Sequence, residues 1–161
     1  MIQALTAYVN VILIKNNSVL LVHRSNTGWM DGFWALPGGN LDHGETPFNA
    51  IIRETDEELG ILLREDKLEF VHILHHQQDT SYKIGFYFAC SKWYGEPVNN
   101  EPDKHSHVSW HALDALPENI LLTSLQALEN YRQGQAYSEF ISNNYKINLK
   151  QATQYESPRE L

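Results

Sequence analysis

The chain has 161 residues, 42% of them hydrophobic, which fits one domain with a sizeable core. A formal net charge of −8 argues against a protein that binds a nucleic-acid backbone, because no Lys/Arg stripe exists to neutralise phosphates. Cys90 is the single cysteine, so an internal disulfide is excluded and a reduced, cytoplasmic setting is expected.

The N-terminus has no basic region, and its apolar run over residues 8–14 is short and broken by Asn10, so neither a signal peptide nor a membrane span is expected. Residues 4–14 and 18–24, rich in Val, Ile and Leu, predict two strands joined by a turn at 15–17. Residues 25–32 read as a loop. Trp29, Phe33 and Trp34 offer either faces on which a base could stack or a hydrophobic wall under that loop. In the turn Pro37-Gly38-Gly39, two glycines let the backbone approach a ligand closely and expose its carbonyls.

Thr46 is a good N-cap, Pro47 suits the first helical position and Gly60 is a natural left-handed stop, so a helix is predicted over 47–59. Phe48, Ile51, Ile52, Thr55 and Leu59 form its core stripe, and Glu54, Glu57 and Glu58 gather on a flank roughly 120° away. Like charges at i+3 and i+4 destabilise a helix by ~0.2 to 0.5 kcal/mol per pair, so this cluster requires full solvation or cations. Hard divalent ions, Mg²⁺ or Mn²⁺, meet that requirement. A solvated acidic face, with Arg53 pairing to Glu57, is the competing reading. The glycine turn leading into the helix favours cations over it.

Residues 39–61, GNLDHGETPFNAIIRETDEELGI, set Gly39, Glu45, Arg53, Glu54, Glu57, Glu58 and Gly60 at the spacing of the Nudix box. A chance match has a probability of order 10⁻⁸ per start position. The chain therefore resembles the Nudix hydrolases, which hydrolyse nucleoside diphosphates linked to a further group X. It departs from their pattern at Thr55, where an aliphatic residue is more usual. The resemblance covers residues 4–133 and implies an α/β/α sandwich. It further implies metal ions held by the Gly38 carbonyl, Glu54, Glu57 and Glu58, with Arg53 orienting the carboxylates. Gly39 would then bind substrate, Glu45 would fix the loop, and Glu54 or Glu101 would accept a proton from water.

Further along, residues 69–77 and 81–93 predict an antiparallel pair, with Tyr82, Ile84, Phe86, Phe88 and Cys90 on one face. Cys90 reads there as a buried structural thiol. Residues 95–104 form a loop, 107–111 a short strand, and 118–132 a helix striped by Leu121, Leu122, Leu125, Leu128 and Tyr131 and closed by Gly134. Strands mixed with two main helices predict an α/β fold with helices on both sides of a mixed, partly antiparallel sheet. The domain is expected over 1–134. Residues 135–161 fall outside the resemblance, as a docking arm, a dimer contact or disordered chain, and a homodimer is left open.

GEPVNNEPDK resembles the MutT-like branch, which implies that Glu101 is a further metal ligand or the general base; a solvated loop carboxylate is the alternative. Asn119 falls where that branch reads a purine base, and a helix N-cap competes with that role. Arg24 resembles a substrate-contacting arginine, with a surface salt bridge as its alternative. His105, His107 and His111 alternate along a strand, but no cysteine or carboxylate completes a zinc set at familiar spacing; His75 and His76 point to opposite faces. No proline near His75 marks the ADP-ribose branch, no SQPWPFPxS run the NADH branch, and the second arginine of the coenzyme A branch is missing. The expected activity is hydrolysis of a nucleoside triphosphate to monophosphate and pyrophosphate, with oxidised purine nucleotides included. Alternatives are a nucleotide-sugar or dinucleoside polyphosphate hydrolase, or an inactive ligand-binding regulator on the same fold.

Overall fold

The computed structural model describes residues 5–78 and 81–142. Its first hairpin joins β1 (Leu5–Lys15) to β2 (Ser18–Arg24). Both turn residues, Asn16 and Asn17, have positive φ (51° and 58°), a left-handed pair that matches the twist of a two-residue hairpin and that Asn tolerates well. Two short strands follow, β3 (Trp34–Ala35) against β2 and β4 (Gly38–Asn40) against β1. After the first helix, α1 (Pro47–Leu59), come β5 (Glu69–Gln78), β6 (Ser81–Cys90), β7 (His105–Ala112), α2 (Leu122–Gln133) and β8 (Tyr137–Ser142).

The strands run in the order β3-β2-β1-β6-β5-β8, with β4 added to β1 and β7 to β2. Pairs β1·β6 and β5·β8 are parallel and the rest antiparallel, giving the mixed sheet expected. Strands β1, β2 and β6 bury both faces, as a two-sided sandwich demands. Val9, Val11 and Leu13 of β1 and Phe88 and Cys90 of β6 pack with Ala50, Ile51 and Leu59 of α1. The intervening Ile12, Tyr87 and Ala89 pack with Ala127 and Leu128 of α2. Cys90 is buried as expected; its thiol donates to Lys92 O, and burial pushes its pKa up.

Two of the differences from expectation have a visible cause in the pairing. The second helix starts at Leu122, not at 118, because the stretch before it pairs with β3 instead: Trp34 N donates to Asn119 O at 3.0 Å and Leu121 N to Trp34 O at 2.7 Å. Those bonds, the bridge Trp34–Ile120 and a turn closed by Ile120 N on Pro117 O keep 118–121 out of the helix that the Leu spacing favoured. The sheet also continues past residue 134. Tyr137–Ser142 adds a parallel strand beside β5, packing Phe140 on His76 with ring centroids 5.1 Å apart. Residues 143–161, the remainder of the expected tail, lie outside the described residues.

Candidate active site

Helix α1 begins and ends as its sequence dictates. Thr46 Oγ1 accepts from Asn49 N, Pro47 occupies the first turn, and Gly60 closes the helix at φ 64°. Thr55 is fully buried, yet its hydroxyl donates to Ile51 O at 2.8 Å, so the helix satisfies it where the family has an aliphatic residue.

The acidic flank is not evenly solvated. Side-chain exposure is 49% at Glu57, 14% at Glu54 and 8% at Glu58. Arg53 is the hub of the cluster. Its Nε and Nη2 form a fork on Glu45 at 2.9 and 3.0 Å, its Nη1 reaches Glu54 at 2.9 Å and Glu57 at 3.2 Å, and Nη2 also bonds Asn40 O. Glu45 thus ties the loop to the helix through Arg53. The arginine's pKa is raised chiefly by that bond to Glu45.

Glu58 accepts from Gly38 N at 2.8 Å, so β4 and the helix meet at this carboxylate. Gly38 has φ 146°, and a Cβ there would collide with Val9 O and Asn10. A Cβ on Gly39 would instead strike the Glu54 carboxylate, so the second glycine is what lets that side chain lie against the strand. Asn10 Nδ2 holds the approach to the turn through Leu36 O and Pro37 O.

Glu101 arrives from the loop between β6 and β7. Asn100 anchors that loop on the last turn of α1, its amide donating to Glu58 O and its side chain to Glu57 O, both at 3.0 Å. Glu101 accepts from Lys104 Nζ at 2.8 Å. The next strand starts at His105, two residues earlier than predicted, opposite Arg24. His105 is 3% exposed; its Nε2 lies 3.4 Å from Glu58 Oε1, and its Nδ1 is buried without a hydrogen-bond partner among the described residues. Leaving such an atom unpaired costs about 1–3 kcal/mol.

These contacts give a site short of positive charge. Burial, reinforced by the charges of Glu54 and Glu101, pushes the Glu58 carboxyl well above the usual carboxylate range despite the Gly38 bond. Glu54 is raised as well, first by burial, with Arg53 opposing. Burial lowers His105. An added cation would reverse the carboxylate shifts, and the oxygens of Glu54, Glu57, Glu58 and Glu101 with the Gly38 carbonyl are the donors that hard divalent ions take. The residues present fit such a group.

The remaining expected residues sit around this centre. Arg24 makes no surface salt bridge among the described residues. Its Nε donates to Trp29 O at 3.0 Å, its Nη2 to Thr27 Oγ1 at 2.9 Å, and its guanidinium lies 4.9 Å above the Trp29 ring, folding loop 25–32. Asn119 is not a helix N-cap, since α2 is capped at Leu121; its Nδ2 donates to Gly32 O at 2.7 Å. Phe33 packs with the α1-side core and Trp34 with the α2-side core, as a wall, whereas Trp29 is 38% exposed. The separation of His75 and His76 holds: His75 stacks on Tyr82, and His76 is buried. His105, however, does meet two carboxylates, Glu58 and Glu101, which its spacing in sequence gave no reason to expect. Local sequence carried no sign of Asn10 or Asn100 and offered His105 only as a zinc candidate without carboxylate partners, because the partners of all three lie on other elements.

No helix among the described residues is long and apolar enough to cross a membrane. A family model of the NUDIX domain matches residues 4–131. The 8-oxo-dGTP diphosphatase of Proteus vulgaris is 36% identical over 86 residues, 53% of this chain and 75% of that protein. That of Escherichia coli (strain K12) is 30% identical over 107 residues, 66% of this chain and 81% of that protein. The crystal structure of a MutT NUDIX hydrolase from Burkholderia pseudomallei superposes with a TM-score of 0.73 at 29% identity, covering 79% of this chain and 98% of that one. With Glu54, Glu57 and Glu58 of the box gathered on α1 and the NUDIX model spanning residues 4–131, the protein belongs to the Nudix family and is a Nudix pyrophosphohydrolase.

Proposed function

We propose that this enzyme cleaves a nucleoside triphosphate, with an oxidised purine nucleotide as the preferred substrate, to nucleoside monophosphate and pyrophosphate. The observation that carries the reading is the gathering of Glu54, Glu57 and Glu58 with Glu101 beside Gly38 and Gly39, where Glu58 is buried with too little positive charge around it. The substrate class is supported by two relatives, both named 8-oxo-dGTP diphosphatase.

Mg²⁺ or Mn²⁺, held by the Gly38 carbonyl, Glu54, Glu57, Glu58 and Glu101, would neutralise pyrophosphate oxygens and acidify a bound water. The chain's own groups do the rest. Arg53 keeps Glu54 and Glu57 in place, and its bond occupies Oε1 of Glu54, leaving Oε2 to take the water's proton. Gly39 gives this carboxylate room and lines the substrate's path. Arg24, whose Nε and Nη2 hold the loop, offers Nη1 to a phosphate or a base edge. Asn119, fixed to Gly32 O beside that loop, reads the purine edge.

The test is a screen of nucleoside triphosphates, nucleotide sugars and dinucleoside polyphosphates with Mg²⁺, scored by the phosphate species released. Pyrophosphate from triphosphates, purines first, is expected. Glu57→Gln should lower turnover by orders of magnitude while folding holds, since it removes charge and keeps shape. Near-normal turnover in that variant would return Glu57 to a solvated face, and a screen without any product would leave a ligand-binding regulator.

A further inference from the structure

His105 has its backbone fixed from both sides and its ring fixed by neither. Its amide donates to Glu101 O at 3.0 Å, and its carbonyl accepts from Asn99 Nδ2 at 2.6 Å. The residue is 3% exposed, yet Nδ1 has no hydrogen-bond partner among the described residues. Nε2 stands 3.4 Å from Glu58 Oε1, longer than a good N–H···O bond. Glu58 Oε2 is occupied by the Gly38 amide, so Oε1 is the oxygen turned toward the imidazole.

One oxygen each of Glu58 and Glu101 and one nitrogen of His105 all lie within 4.8 Å of one another. Donors around a six-coordinate ion, each about 2.1 Å from it, sit about 3 Å apart when adjacent and about 4.2 Å apart when opposite. A small contraction of the three side chains therefore closes them on one ion. The exposed Lys104, now 2.8 Å from Glu101, is free to swing toward solvent as the ion takes its place.

We infer that His105 supplies an imidazole nitrogen to a divalent ion shared with Glu58 and Glu101, and that this position takes first-row transition ions such as Mn²⁺ and Co²⁺ in preference to Mg²⁺. The inference rests on the reading of the glutamates as metal ligands and adds to it a nitrogen donor from β7, outside the box. Mg²⁺ takes oxygen donors and gains little from imidazole, whereas nitrogen sites bind Co²⁺ more tightly than Mn²⁺.

Isothermal titration of the nucleotide-free protein with Mg²⁺, Mn²⁺ and Co²⁺, repeated on His105→Ala and His105→Gln, tests this. Loss of the imidazole should weaken Co²⁺ binding at least about tenfold and Mn²⁺ binding less. Mg²⁺ binding should stay within about twofold. If the alanine variant melts below the titration temperature, the glutamine variant, which keeps a polar group in the buried site, carries the comparison. Unchanged Mn²⁺ and Co²⁺ affinities, or an equal loss for all three ions, would overturn the imidazole ligand and leave the glutamate site standing. An unaltered protein that binds none of the three ions would overturn both.

Discussion

Gly39 and Asn119 show how much a single residue decides here. Gly39 carries no positive φ, so its demand is for space alone: the Glu54 carboxylate lies where its Cβ would go. Gly39→Ala should therefore keep the backbone and displace Glu54, with an overpacking cost of about 1–3 kcal/mol. Turnover should fall at least about tenfold, since about 1.4 kcal/mol of lost transition-state stabilisation suffices for that. Steady-state kinetics beside a thermal melt would show it, and unchanged turnover would place the proton acceptor elsewhere. Asn119 has lost its competing explanation as a helix cap, because α2 begins three residues later. Asn119→Ala should raise KM and flatten the preference among guanine, adenine and pyrimidine triphosphates, with the lost bond to Gly32 O costing roughly 0.5–1.5 kcal/mol. A fall in melting temperature with base preference intact would make it an anchor of loop 25–32 only.

Among the elements, α1 serves the site through both its ends. At its N-terminus Thr46 bonds Asn49 N, a cap that makes no hydrogen bond to Glu54, Glu57 or Glu58 among the described residues. At its C-terminus Asn100 bonds the carbonyls of Glu57 and Glu58 and brings Glu101 alongside the helix. Thr46→Ala and Asn100→Ala should each cost about 1 kcal/mol, a melting shift of roughly 2–4 °C for a chain of this size. Only the second should also reduce kcat, several-fold, because it loosens the loop that presents Glu101. Equal kcat in the two variants would mean that the loop holds Glu101 without Asn100.

Across the whole molecule, the added strand β8 seals the edge of β5 and buries His76 against Phe140. Burial, with help from Lys83 and His75, lowers the His76 pKa from 6.5 to about 4. Between those values the unfolded chain binds a proton that the folded chain refuses, so His76 costs stability as pH falls through that window, by of order 2 kcal/mol. The raised carboxyls of Glu54 and Glu58 act with the opposite sign, which makes a difference measurement necessary. Relative to the unaltered protein, His76→Phe should gain stability on going from pH 7 to pH 5, read from paired urea titrations. A stability gap independent of pH would show that His76 is protonated in place.

What the sequence by itself determined was whatever depends on near neighbours along the chain. The caps and stripe of α1, the left-handed Asn16-Asn17 turn and the alternation that buries both faces of β1 and β6 follow from local spacing, and so does the carboxylate flank that reveals the chemistry. Only the tertiary structure decided where long-range hydrogen bonds overrule local preference. The Leu-rich start expected for α2 is held extended by Trp34, and residues 137–142, which carry no strong pattern of their own, become a strand because β5 offers an open edge. The same cause separates the glutamates from each other. Spacing makes Glu54, Glu57 and Glu58 alike, but burial depends on what packs above them, and it is Gly38 from β4 and His105 from β7 that make Glu58 the enclosed carboxylate and leave Glu57 in solvent.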